Sequence, residues 1–382
     1  MLNIETCAMR DDEYRKPLTI GIVTIDGAFS GADAAIVRHL RQRGHGIVHA
    51  SAGLSRFDLG VLAVRSFRLP ISRWKNRWWG IQLKSSQAFT SRGRHAKRGM
   101  ADRQVDCWLQ VSGLFNALQY VGDVPKAIFC DYTAAMAARN YPIWFQLRDR
   151  AAARWLRAEA HLYRSADVIF SASVNTKRSF VADYGVQDQR VSVVGEGVEM
   201  LPAPMPRTGD SEIALFVGID FGRKGGEIVL EGFRRVRSER PNAQLWIVGP
   251  KAREPIDGVT WFGHVSDRAQ VNQLFNSADV FVMPSLCEPF GLAIIEAMSF
   301  GLPVVGSRRD AMSEIVVEGQ TGLLIDPTDS RALADALTAL LGDPVARRRM
   351  GESGRDLVAK QFLWSQVVER IESELYRIVW SR

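Results

Sequence analysis

Apolar positions along the chain fall into two rhythms: short unbroken runs of β-branched and aliphatic residues, and longer stretches with helical spacing between them. Leu18–Ile25 is the first run. An unbroken apolar stretch of that length predicts a strand buried on both faces. A glycine-bearing loop, Asp26–Gly31, follows, and Ala34–Arg43 then has the spacing of a helix that stops at Gly44. Strand, glycine loop and helix open a doubly wound α/β domain. Further apolar runs at Ala127–Cys130, Val168–Ser171 and Val191–Val194 continue the pattern.

The pattern breaks at Leu201–Asp210, where three prolines and a glycine predict a linker. A second α/β rhythm starts directly after it. Strands are predicted at Ile213–Val217, Gln244–Val248, Val259–Phe262, Val280–Met283, Pro303–Val305 and Gly322–Ile325. Helices lie between them, including Lys224–Glu239 and Ser330–Leu341. Near the end, Val367, Val368, Ile371, Leu375 and Ile378 form one apolar stripe on a helix. The expected organisation is a first domain over 1–200, a linker over 201–210, a second domain over 211–362, and a helix over 363–382 that returns to the first domain. The fold class is therefore α/β, with two doubly wound Rossmann-like domains facing a cleft.

Composition adds little to this except through charge. The four cysteines, Cys7, Cys107, Cys130 and Cys287, are scattered without CxxC spacing, which suits reduced thiols in a cytoplasmic protein. The stretch before Pro17 is polar and acidic, unlike a secretory leader, and reads as a loose tail. No apolar run is long enough to cross a membrane as a helix. The net charge of +7 is unevenly spread. Residues 1–190 hold 28 Lys and Arg against 16 Asp and Glu (28 − 16 = +12), and the remainder 21 against 26 (21 − 26 = −5). The first half is expected to meet something anionic.

The chemistry concentrates in Phe281–Val305. A strand ends at Pro284, Glu288 falls in the loop, and Gly291 opens a helix that contains Glu296. In one continuous helix the two carboxylates would point about 80° apart. With Glu288 in the loop, both are free to address one ligand above the strand end. The amides of Phe290, Gly291 and Leu292 sit at the helix N-terminus, which favours anions and sugar oxygens. Carboxylates in turn accept hydrogen bonds from paired hydroxyls. Upstream, Arg223 and Lys224 stand between a strand and a helix start. The helix dipole disfavours cations there, so a basic pair in that place suits a bound diphosphate.

Phe281–Val305 resembles the E-x7-E motif of the retaining family 4 glycosyltransferases, which have the GT-B fold. In the same order, Phe216–Gly226 resembles the family's Arg-Lys-Gly donor loop and Val259–Val265 its base-binding turn. Glu314–Leu324 is similar to its late strand-and-turn signature. The resemblance implies transfer of a sugar from a nucleotide-diphosphate donor, with retention at the anomeric carbon and no metal or other cofactor. It makes the first domain the acceptor-binding one and the second the donor-binding one. Glu296 would then hold the ribose and Glu288 a hydroxyl of the transferred sugar, while Arg223 and Lys224 would stabilise the departing diphosphate. Val265, Phe290, Gly291 and Leu292 would line the donor, and Gly31 would reach its diphosphate from the first domain. The acceptor would be a glycan, a lipid-linked molecule or a small-molecule hydroxyl, as in polysaccharide biosynthesis.

Other features stay open. Asp131, after the strand Ala127–Cys130, suits either a catalytic role at an acceptor hydroxyl or a turn cap. Arg65–Met100 carries ten Lys and Arg, no acid, and Trp74, Trp78 and Trp79. That mixture suits an anionic membrane surface, an acidic glycan, or a solvated loop over core tryptophans. No nucleic-acid motif accompanies it. The absence of Asp-x-Asp fits a site without a metal. No G-x-G-x-x-G follows a strand, which argues against a nicotinamide-dependent oxidoreductase. A non-catalytic glycan- or lipid-binding protein on the same scaffold is the remaining alternative.

Overall fold

The computed structural model describes residues 16–25, 31–67, 82, 84–200, 202 and 211–381. Nearly all of the predicted tail and of the predicted linker lies outside them. The described residues form two compact units, one of residues up to 195 with 367–381, the other of residues 196–366.

The first unit is built on six parallel strands: β1 (Thr19–Thr24), β2 (Gly46–Ser51), β3 (Cys107–Val111), β4 (Lys126–Cys130), β5 (Val168–Ser171) and β6 (Val191–Val193). They run in the order β2-β1-β3-β4-β5-β6. Ile20, Ile22 and Val23 of β1 are fully buried, as helices on both faces of a parallel sheet require. β2 and β3 have no counterpart among the predicted strands. β2 is an edge strand, half exposed and interrupted by His49. β3 buries Gln110, whose side-chain amide donates to the carbonyls of Ser112 and Phe115 and accepts from the amide of Ala117. The helix Trp364–Trp380 supplies Val367, Val368, Ile371 and Leu375, all fully buried.

The second unit has six more parallel strands: β7 (Ile213–Val217), β8 (Gln244–Val248), β9 (Val259–Gly263), β10 (Val280–Met283), β11 (Val304–Ser307) and β12 (Gly322–Ile325). Their order is β12-β11-β10-β7-β8-β9. The direction of winding therefore reverses between β7 and β10, which pair directly. At such a reversal the loops beyond the strand C-termini diverge to opposite faces and leave a crevice where ligands bind. Val280–Met283 is buried throughout, so the end of β10 is a rigid base for the loop that follows.

Candidate active site

Two loops rise from this reversal, and both carry the sequence motifs. The first, after β7, is held by two glycines. A Cβ on Gly218 would lie 2.0 Å from Cδ of Lys224, so only glycine lets the lysine stem pass over it. Gly225 has φ of 76°, and a Cβ there would come within 2.2 Å of the Pro284 carbonyl. The loop is thus pressed against the end of β10. The helix begins at Gly226, so Lys224 lies in the turn before it, two residues outside the helix predicted from Lys224 onward.

The second loop, after β10, folds back over the first. Arg223 Nη1 donates to the Cys287 carbonyl at 2.6 Å and to Glu288 Oε2 at 3.2 Å. Lys224 Nζ lies 3.2 Å from the same oxygen and 3.2 Å from Met283 Sδ. Ser285 Oγ donates to that oxygen as well, at 3.3 Å. All three side-chain bonds converge on Oε2, and Oε1 has no protein partner among the described residues. Glu288 is 7% exposed, so its free oxygen sits in a nearly dry setting where a hydrogen bond to a ligand hydroxyl is strong. The Glu288 amide donates to Asp310 Oδ2 at 3.0 Å, and Ser307 Oγ donates to the Ser285 carbonyl at 2.6 Å.

Glu296 lies in the helix Leu292–Ser299, with Gly291 as its N-cap. Its Oε1 accepts from Arg268 Nη1 at 2.8 Å, an exposed pairing that the sequence did not suggest. The first amides of this helix have no partner within it. Phe290 is 2% exposed and its ring packs edge-on against Phe362, so what it can offer a ligand is its backbone. Val265 is partly exposed in the loop after β9, beside an exposed His264. Among the described residues, no three His, Cys, Asp or Glu side chains cluster as metal ligands.

Residues 201–357 match the family model described as glycosyl transferases group 1. That segment of the chain is similar to this family. All of the site described so far lies inside the matched segment. Glycogen synthase of Mycobacterium tuberculosis is 29% identical over 233 residues, covering 57% of this chain and 56% of that protein. Phosphatidyl-myo-inositol mannosyltransferase of Mycobacterium leprae is 35% identical over 179 residues, covering 44% and 47%. The chain thus spans about half the length of the curated relatives it matches. Among solved structures, sucrose-phosphate synthase from Thermosynechococcus elongatus superposes with a TM-score of 0.71 at 20% identity, over 96% of this chain and 100% of that one. Anabaena HepE in complex with UDP-glucose gives 0.69 at 15% identity, over 94% and 100%. With its two doubly wound sheets, the fold is the expected GT-B.

The predicted site residues divide between the two units. Arg223, Lys224, Glu288, Phe290, Gly291, Leu292, Glu296 and Val265 belong to the family-matched unit, and the structure brings Arg223, Lys224 and Glu288 into direct contact. Gly31 and Asp131 belong to the other unit. Gly31 is the first residue of its helix rather than a residue ahead of it, with φ of 60°. Asp131 is exposed just beyond β4, and its carbonyl accepts from Thr176 Oγ1 at 2.8 Å. Sequence reasoning missed Ser285 and Asp310. Ser285 lay inside the quoted motif and could have been found there. Asp310 carries no local signal at all.

Proposed function

We propose that the protein is a retaining glycosyltransferase that moves a sugar from a nucleotide-diphosphate donor to a hydroxyl of a glycan, a lipid-linked molecule or a small molecule. The observation that carries this reading is the Glu288 carboxylate. One oxygen is fixed by Arg223, Lys224 and Ser285, and the other has no protein partner among the described residues, at the winding reversal of the family-matched sheet. The complex of Anabaena HepE with UDP-glucose supports the donor class.

In this reading the diphosphate takes up the two cations and the N-terminal amides after Gly291, and Glu296 holds the ribose. Glu288 Oε1 accepts a hydroxyl of the transferred sugar. As the bond from the anomeric carbon to the phosphate oxygen breaks, the diphosphate gains charge and Arg223 and Lys224 stabilise it. The acceptor hydroxyl attacks the same face, and its proton passes to the leaving phosphate oxygen. Gly31 and Asp131 would serve the diphosphate and the acceptor from the first unit. Two fixed cations at the diphosphate make a divalent metal unnecessary, and no other cofactor enters.

A cytoplasmic location, with peripheral contact to an anionic membrane surface through Arg65–Met100, is part of the same proposal. Residues 68–81 and 83 of that stretch lie outside the described residues. In the remainder, Arg94, Lys97 and Arg98 are exposed on the helix Ser86–Met100. Among the described residues, no helix is long and apolar enough to cross a membrane.

The test has two arms. UDP, GDP and ADP are compared for the rise in melting temperature they cause, since a ligand at 100 times its dissociation constant stabilises by about 2.7 kcal/mol. UDP-glucose, GDP-mannose and ADP-glucose are then tested for hydrolysis in excess EDTA. One nucleotide should stabilise and its sugar should be hydrolysed with the metal chelated. Stabilisation without hydrolysis or transfer would favour the non-catalytic glycan-binding alternative. Activity lost on chelation and restored by magnesium or manganese would overturn the metal-independent mechanism.

A further inference from the structure

Asp310 stands in the turn after β11, 22 residues beyond Glu288, yet its Oδ2 accepts the Glu288 amide at 3.0 Å. Its φ is 46°, in the left-handed region that favours glycine. The backbone at this point is otherwise well tied: the Asp310 carbonyl accepts from Ser313 Oγ, and the short helix Met312–Ile315 starts two residues later. Glycine would relieve the left-handed strain and would also remove the acceptor. A carboxylate in a strained position, with its oxygen on the backbone of the central site residue, points to a use for the side chain.

Three backbone ties on this loop fall before Glu288. Leu286 N donates to the Arg223 carbonyl, Arg223 holds the Cys287 carbonyl, and Ser307 holds the Ser285 carbonyl. The Asp310 bond is the only one of these that acts on the Glu288 backbone itself. Glu288 Oε2 is fixed by side chains that a bound diphosphate would draw upon. The direction of Oε1 is therefore set by where the Glu288 backbone stands.

We infer that Asp310 is a positioning residue: its carboxylate fixes the Glu288 backbone so that Oε1 is aimed at the hydroxyl of the transferred sugar. This rests on the donor reading given above. It predicts that Asp310 governs turnover of the sugar while leaving the nucleoside diphosphate itself bound as before.

The experiment compares Asp310→Gly, Asp310→Asn, Lys224→Ala and Glu288→Ala with the wild type, using UDP, GDP or ADP for affinity and the sugar nucleotide that the wild type hydrolyses for kcat and KM. Asp310→Gly should melt no lower than wild type, bind the nucleoside diphosphate within about twofold, and lose roughly tenfold or more in kcat/KM. Asp310→Asn retains an acceptor oxygen and tolerates the left-handed backbone, so it should recover most of that loss. Full turnover in Asp310→Gly, with Lys224→Ala and Glu288→Ala both impaired, overturns this inference alone. A loss in Asp310→Asn as deep as in Asp310→Gly also overturns it, because charge rather than the hydrogen bond would then be responsible. If Lys224→Ala and Glu288→Ala are as active as wild type, or the wild type hydrolyses none of the three sugar nucleotides, the donor reading falls and this inference with it.

Discussion

His45 and Glu372 join distant parts of the first unit: the imidazole Nε2 lies 2.7 Å from Glu372 Oε1. The Leu18 amide donates to His45 Nδ1, which places the ring proton on Nε2, facing the carboxylate. Arg43 Nε donates to the other carboxylate oxygen at 2.9 Å. Burial alone would raise the Glu372 carboxyl. The bonds from His45 and Arg43 outweigh that and bring it down to about 2 from an ordinary 4.5. A lowered folded-state value means stability that is fully present above pH 4.5 and is lost as pH falls toward 2. The shift would correspond to about 3 kcal/mol, and partial solvent access reduces it to roughly 1–2 kcal/mol. Glu372→Gln should therefore lower the melting temperature at pH 7 by several degrees, with the gap to wild type shrinking between pH 4.5 and pH 3. Calorimetry at a series of pH values measures this, and a gap that stays constant with pH would rule it out.

Lys224 and Glu288 are predicted to matter for turnover rather than folding. Lys224→Ala and Glu288→Ala should each reduce transfer roughly 100-fold, the usual effect of losing one electrostatic contact to a transition state. Lys224→Ala leaves Glu288 with Arg223 and Ser285 as partners, so its fold should persist. Steady-state kinetics with circular dichroism decides the matter, and near-normal turnover in either variant would remove that residue from the mechanism.

The two glycines of the first loop should respond differently. Gly218→Ala forces the flexible Lys224 stem aside, so it should cut turnover about tenfold or more with little change in melting temperature. Gly225→Ala meets the Pro284 carbonyl and a left-handed backbone together, neither of which yields cheaply. It should cost roughly 1–3 kcal/mol of stability. Equal melting temperatures for the two variants would contradict this.

For the proposed anionic-surface contact, liposome co-sedimentation is the measurement. Vesicles rich in anionic lipid should bind the wild type at low salt and release it at high salt, since each cation near such a surface contributes about 1 kcal/mol and is screened within a Debye length. Replacing Lys97 and Arg98 with glutamate should weaken binding while leaving sugar-nucleotide hydrolysis intact. Failure of the wild type to bind anionic vesicles at low salt would leave a water-soluble acceptor as the reading for this stretch.

The sequence by itself determined the strands whose burial is continuous. Val168–Ser171, Ile213–Val217 and Val280–Met283 read as apolar runs because a parallel strand covered on both faces has no polar side to interrupt it. It also determined the site motif, since Arg223, Lys224, Glu288 and Glu296 are charged residues at spacings where a strand, a loop and a helix start must meet. β2 and β3 were not legible. An edge strand such as Gly46–Ser51 has a wet side, and a buried Gln110 is tolerated only because the folded chain supplies its hydrogen-bond partners.

Tertiary structure alone decided the pairings. Arg268 on Glu296, His45 on Glu372, and Asp310 on the Glu288 amide join positions 22 to 327 residues apart, and nothing local selects them. Hydrophobic periodicity is written into each segment because it reflects only which side of that segment is buried. A hydrogen bond between two turns depends on how two strands are placed side by side, and that is settled only when the sheet has formed.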